Sequence, residues 1–273
     1  MLITGASSGI GAATAKEAAR QGAEVILVAR TQPKLEAVAD EIRSMGSVAH
    51  VYPADVSDAD VVRNLATQVQ SVHGTPDILF NNAGAGRWLF TEETEMEDAA
   101  EMMAAPYLAA FYITRAFLPG MLKRDSGYIV NMSSIAGFMP WPGATAYAAA
   151  RWAMRGFTES LRADLHGTKL RTMLTAFAKV ESDFWQNNPG SEDTPRRTSD
   201  DPRYHTRTSS QSNCEWHPLE PTQYLRPFYV VGCVDFVLSF SANHALVIEQ
   251  HRCKTKVNKN WFNFKIEPIS PRI

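Results

Sequence analysis

The chain has 273 residues, 45% of them hydrophobic and 21% charged, a balance that suits one large folded domain with room for an appendage. Its net charge of −2 supplies no broad cationic surface, so nucleic acid is not an expected partner. Three cysteines, all in the last third, form no disulfide framework, and a reducing, cytoplasmic setting is expected.

No cleavable signal precedes Leu2-Ile3, and a buried first strand usually needs more residues, so a longer natural beginning is expected. The first strand, residues 1–4, passes through a glycine-rich turn into an amphipathic stretch at 11–21. Further strands are predicted at 24–29, 48–52, 78–81, 128–132 and 171–176. Between them the spacing predicts helices at 33–45, 58–73, 107–123 and 146–166. Strand–helix alternation at this rhythm means parallel strands with crossover helices on both faces. The expected fold is a doubly wound, Rossmann-type α/β sheet, a single domain over residues 1–191.

The texture then changes. Residues 192–222 are rich in Ser, Thr, Pro, Arg and Asp and poor in aliphatic side chains, which predicts a polar linker. Charge shifts with it: residues 1–195 carry 16 basic and 22 acidic side chains, and residues 196–273 carry 11 and 7. Residues 223–273 form an extension to which the sequence assigns no role. Its apolar run, 228–240, contains Asp235 and falls short of the ~20 residues a membrane span needs, so a late strand is expected instead of an anchor. No metal is expected either, because Cys214-x-x-His217 with His244, His251 and Cys253 has irregular spacing for zinc.

Thr4-Gly5-Ala6-Ser7-Ser8-Gly9-Ile10-Gly11 joins the first strand to the first helix. Glycines at 5, 9 and 11 permit a tight turn and close backbone approach to a pyrophosphate. The helix start adds free N–H groups from Ser7, Ser8, Gly9 and Ile10 and a positive dipole end. The second strand ends in Arg30, where a carboxylate would serve a ribose 2′-hydroxyl; a guanidinium suits a 2′-phosphate, so NADP(H) is expected over NAD(H).

Tyr147 follows Ser134 by thirteen residues, and Arg151 follows Tyr147 by one helical turn. A phenol is a weak base at neutral pH, with an ordinary pKa of about 10, and a cation one turn along the same helix face helps it release a proton. A serine at the end of the facing strand can hold a carbonyl oxygen in line.

With Asp55-Val56 after the third strand and Asn81-Asn82-Ala83-Gly84 after the fourth, the chain resembles the short-chain dehydrogenase/reductase family over roughly residues 1–191. The resemblance implies hydride transfer between a nicotinamide cofactor and an alcohol/carbonyl substrate. Tyr147 would be the acid–base, Ser134 the orienting hydroxyl and Arg151 the electrostatic support. It further implies that Asp55 and Val56 border the adenine, that Asn82, Ala83 and Gly84 support the central strand and adenosine ribose, and that Tyr147, Arg151, Val180 and Ser182 complete the cofactor contacts. A homo-oligomer built on the helices at 107–123 and 146–166 is implied as well.

Three positions depart from the family pattern. Arg151 stands for a Lys, Pro106 for an Asn that anchors a relay water, and Phe177-Ala178 for a Pro-Gly after the sixth strand. Proline has no side-chain donor and no N–H. Trp141, Trp152 and Trp185 are candidates for an apolar substrate wall. A cofactor-binding protein without turnover is therefore a second alternative, and unselected sequence past residue 192 a third.

Overall fold

The fold is described from a computed structural model covering residues 1–177, 180, 182 and 184, with the backbone of three later strands at 229–231, 236–240 and 246–250. Strands β1 (Leu2–Thr4), β2 (Val25–Ala29), β3 (Ala49–Pro53), β4 (Ile78–Asn81), β5 (Tyr128–Ser134) and β6 (Arg171–Phe177) alternate with helices α1 (Gly9–Arg20), α2 (Gln32–Ser44), α3 (Ala59–His73), α4 (Met96–Met103), α5 (Ala109–Arg124) and α6 (Thr145–Asp164). The parallel sheet runs in the order β3-β2-β1-β4-β5-β6, and β7 (Tyr229–Val231) adds a seventh parallel strand beside β6. β8 (Phe236–Phe240) and β9 (Leu246–Gln250) pair antiparallel in a sheet of their own.

Unbroken apolar strands make sense only with cover on both faces. In β2, Val25 and Leu27 face one cluster while Ile26 and Val28 face the other. The first cluster takes Ala15 and Ala18 of α1 with Leu35 and Ile42 of α2. On the opposite face Leu65 and Val69 of α3, Ile113 and Phe117 of α5 and Leu161 of α6 close the second. Asp58 starts α3 by accepting hydrogen bonds from the Asp60 and Val61 amides at 2.8 and 3.1 Å.

One helix was not expected. Residues 96–103 form α4, and a wide π turn, Ala104–Leu108, carries the chain into α5. Pro106 explains the interruption: proline disfavours helical backbone in the residue before it, and Ala105 is extended at φ −130°, ψ 104°. The apolar run 228–240 divides into β7 and β8, and among the described residues no helix is long and apolar enough to cross a membrane. The expected linker at 192–222, Trp185 and all three cysteines lie outside the described residues.

Candidate active site

A cleft of about 860 Å³ opens across the carboxyl ends of β1, β2, β4, β5 and β6. In a doubly wound sheet this is where a ligand meets the loops that leave the strands. At one end lie Gly5, Ser7, Ser8, Gly9 and Ile10. Gly5 and Gly9 take φ of +63° and +52°, backbone that a side chain would strain. Gly11 does not reach the cleft surface. A Cβ there would sit 2.2 Å from the Gly5 carbonyl oxygen and 2.6 Å from Asn82 Nδ2, so its bareness lets α1 close onto the turn.

Asn82 secures that turn. Its Nδ2 donates to the Thr4 and Gly5 carbonyls at 3.0 and 3.2 Å, while the Thr4 hydroxyl oxygen accepts from the Asn82 and Ala83 amides at 3.0 Å each. The loop after β4 and the turn after β1 thus hold one another. Arg30 and Lys34 line the rim beyond β2. Asp55, on the adjacent rim, fixes its own loop by accepting from the Ser57 amide at 3.0 Å and the Ser57 hydroxyl at 2.6 Å. Val56 is buried beside it, lining the cleft and packing in the core.

Ser134, Tyr147 and Arg151 line the same cavity, with Val180 and Ser182 on its wall. Tyr147 is buried between two close neighbours. Trp88 lies 4.5 Å away between ring centroids, and a Cβ on Gly86 would come within 2.8 Å of the phenol ring. The Arg151 guanidinium packs over the same ring, its Cζ 4.9 Å from the centroid. Arg151 is only 4% exposed, its Nη1 donates to the Met132 carbonyl at 3.3 Å, and its Nε has no hydrogen-bond partner among the described residues. Ser133 ties β5 to α6 by donating to the Arg151 carbonyl at 3.1 Å. Ser134 Oγ accepts from the Ala136 amide at 3.3 Å, which leaves its own hydrogen available to a substrate.

Of the tryptophans singled out, Trp141 lines the cleft, whereas Trp152 is exposed on the outer face of α6. Trp88 and Phe184 were missed, although both line the cleft beside Tyr147. Gly84-Ala85-Gly86 directly after a strand was the available signal, since paired bare residues mark close approach. Pro106 is buried in the π turn and offers no polar side-chain atom. The preceding Ala105 carbonyl is spent on the Ala85 amide at 3.1 Å.

Two glycines with left-handed backbone, a free helix start and two basic side chains at the rim match what a dinucleotide needs. The sequence pattern of the short chain dehydrogenase family matches residues 1–193. An uncharacterized oxidoreductase of Mycobacterium bovis is 43% identical over 187 residues, which are 67% of this chain and 55% of that relative. The chain thus spans little more than half of the relative's length. Among solved structures, a metagenomic short-chain oxidoreductase in complex with NADP is 36% identical, with a TM-score of 0.63 over 65% of this chain and 81% of that one. A short-chain dehydrogenase/reductase of Burkholderia phymatum in complex with NAD is 31% identical, with a TM-score of 0.66 over 68% of this chain and 67% of that one.

Proposed function

The chain belongs to the short-chain dehydrogenase family, and on that premise we propose that it is an NADP(H)-dependent oxidoreductase acting on an alcohol/carbonyl pair, with Tyr147 as its acid–base. One observation supports this: Tyr147, Ser134 and Arg151 line the same cleft as the glycine turn. Gly5, Ser7, Ser8, Gly9 and Ile10 would hold the pyrophosphate, Arg30 and Lys34 the 2′-phosphate, and Asp55 and Val56 the adenine. Asn82, Ala83, Gly84, Arg151, Val180 and Ser182 would hold the remainder. Bound in this way, the cofactor supplies or accepts a hydride at the substrate carbon.

The chain's own groups manage the oxygen. Ser134 donates its hydroxyl hydrogen to the carbonyl oxygen and fixes its direction. Tyr147 gives a proton to that oxygen as negative charge develops there, and takes it back in the oxidative direction. Arg151, stacked on the phenol, offsets the negative charge that passes through the site. Trp88, Trp141 and Phe184 exclude water from the reacting end and favour a small or medium carbonyl with apolar flanks. On the same footing we place the protein in the cytoplasm as a homo-oligomer.

The relative's name, an oxidoreductase, gives no support to a cofactor-binding protein without turnover. Steady NADPH oxidation over a panel of ketones and aldehydes tests the proposal. Tyr147→Phe is expected to lower kcat by at least ~100-fold, the scale of a lost proton donor, with NADPH fluorescence quenching retained. Unchanged turnover in that variant would remove Tyr147 from the chemistry.

A further inference from the structure

A second constellation lies away from the cleft, near the amino ends of β2 and β3. Glu24 immediately precedes β2, His50 is the second residue of β3, and His73 is the last residue of α3. Strand register sets His50 opposite Ile26, two residues from Glu24, and alternation along β3 puts His50 and Tyr52 on one face. The end of α3 falls over that face. Glu24 Oε1 lies 2.8 Å from His50 Nε2 and 3.3 Å from His73 Nδ1, and the two imidazole centroids are 4.2 Å apart. The three ligand atoms all lie within 4.8 Å of one another.

We propose that Glu24, His50 and His73 form a zinc site that fastens β2, β3 and the end of α3 together. Zinc bonds of roughly 2.0–2.2 Å to nitrogen and carboxylate oxygen give tetrahedral edges of about 3.3 Å, against 2.8 and 3.3 Å for the two carboxylate–imidazole pairs here. Two imidazoles and one carboxylate suit zinc better than calcium or magnesium, which take oxygen ligands. The outer shell is present as well. His73 Nε2 lies 2.9 Å from the Tyr52 hydroxyl; in the tautomer that carries its hydrogen on Nε2, Nε2–H donates to that oxygen and Nδ1 is left with a lone pair for the metal.

Two further features favour a cation. The carboxyl end of α3 carries partial negative charge beside His73. The Glu24 side chain is 55% exposed, so the metal and its water ligand have an open path in. The groups stand on a strand, a strand entry and a helix end, which hold their spacing without the metal. No local pattern announces the site, because the three positions are 23 to 49 residues apart.

Calorimetric titration of the full chain with zinc chloride tests the proposal. One equivalent is expected to bind with a micromolar or tighter Kd, weakened at least tenfold by His50→Gln or His73→Gln and about tenfold by Tyr52→Phe. NADPH binding, at the other end of the sheet, is expected to be unchanged in all three and reports that they fold. X-ray absorption of the zinc-loaded wild type gives a check independent of any variant; a shell of nitrogen and oxygen with two imidazoles is expected. No binding below millimolar zinc overturns the site. So does wild-type binding in the doubly substituted His50→Gln, His73→Gln chain, or a sulfur ligand in the absorption spectrum, since either places the metal on other side chains.

Discussion

Arg30 is exposed at the rim of the cleft, with Lys34 one helical turn further along. A charge-assisted hydrogen bond to a 2′-phosphate contributes about 1.5–3 kcal/mol, or roughly 10- to 100-fold in affinity. Arg30→Asp is therefore expected to weaken NADPH binding by that factor and leave NADH binding equal or tighter. Fluorescence titration with both nucleotides measures it, and parallel losses for the two would end the assignment. That Arg30, Ser134, Tyr147 and Arg151 line one cleft was legible because their signals are local, each at a strand end or on one helix. Trp88 was not, because its contact with Tyr147 spans 59 positions and depends on the path of the loop after β4.

Between β4, β5, α5 and α6 runs a buried amide chain. Asn81 Nδ2 donates to Thr114 Oγ1 at 3.1 Å and to Asn131 Oδ1 at 2.8 Å. Asn131 Nδ2 donates in turn to Thr158 Oγ1 at 2.9 Å, and Thr158 donates to the Met154 carbonyl at 2.8 Å. Asn131 is wholly buried, so Asn131→Ala leaves one hydrogen of the Asn81 amide and one lone pair of the Thr158 oxygen without a partner in the interior. A loss of about 1–3 kcal/mol is expected, seen in urea as a lower midpoint with an unchanged slope. The elements this chain joins were foreseen to within two residues at most ends, because apolar periodicity reports burial directly. α4 was not, since eight residues with Met102 alone buried are too short a stretch to show a helical period. Its end was hidden too: the π turn follows from how Pro106 and the Ala85–Ala105 hydrogen bond divide the backbone, which no periodicity records.

At the scale of the molecule, an apolar groove of about 640 Å³ lies between α5 and α6, lined by Tyr107, Phe111, Leu118 and Phe157. Phe111 is 42% exposed there. If a second copy covers these helices, Phe111→Glu is expected to convert a dimer to a monomer in light scattering, and an unchanged mass would direct the contact elsewhere. The β3 flank of the sheet discourages contact through strands. Among the described residues β3 has no neighbour on its outer side. The Val48 carbonyl accepts from the Val25 amide, and the Ala54 amide donates to the Ala29 carbonyl. Ala49, Val51 and Pro53 therefore turn their backbone outward. Arg43 Nη2 already occupies the Ala49 carbonyl at 3.0 Å, and Pro53 has no hydrogen to offer. An incoming foreign strand would find Val51 as its single complete rung. On that side the molecule is shielded from fibrous stacking.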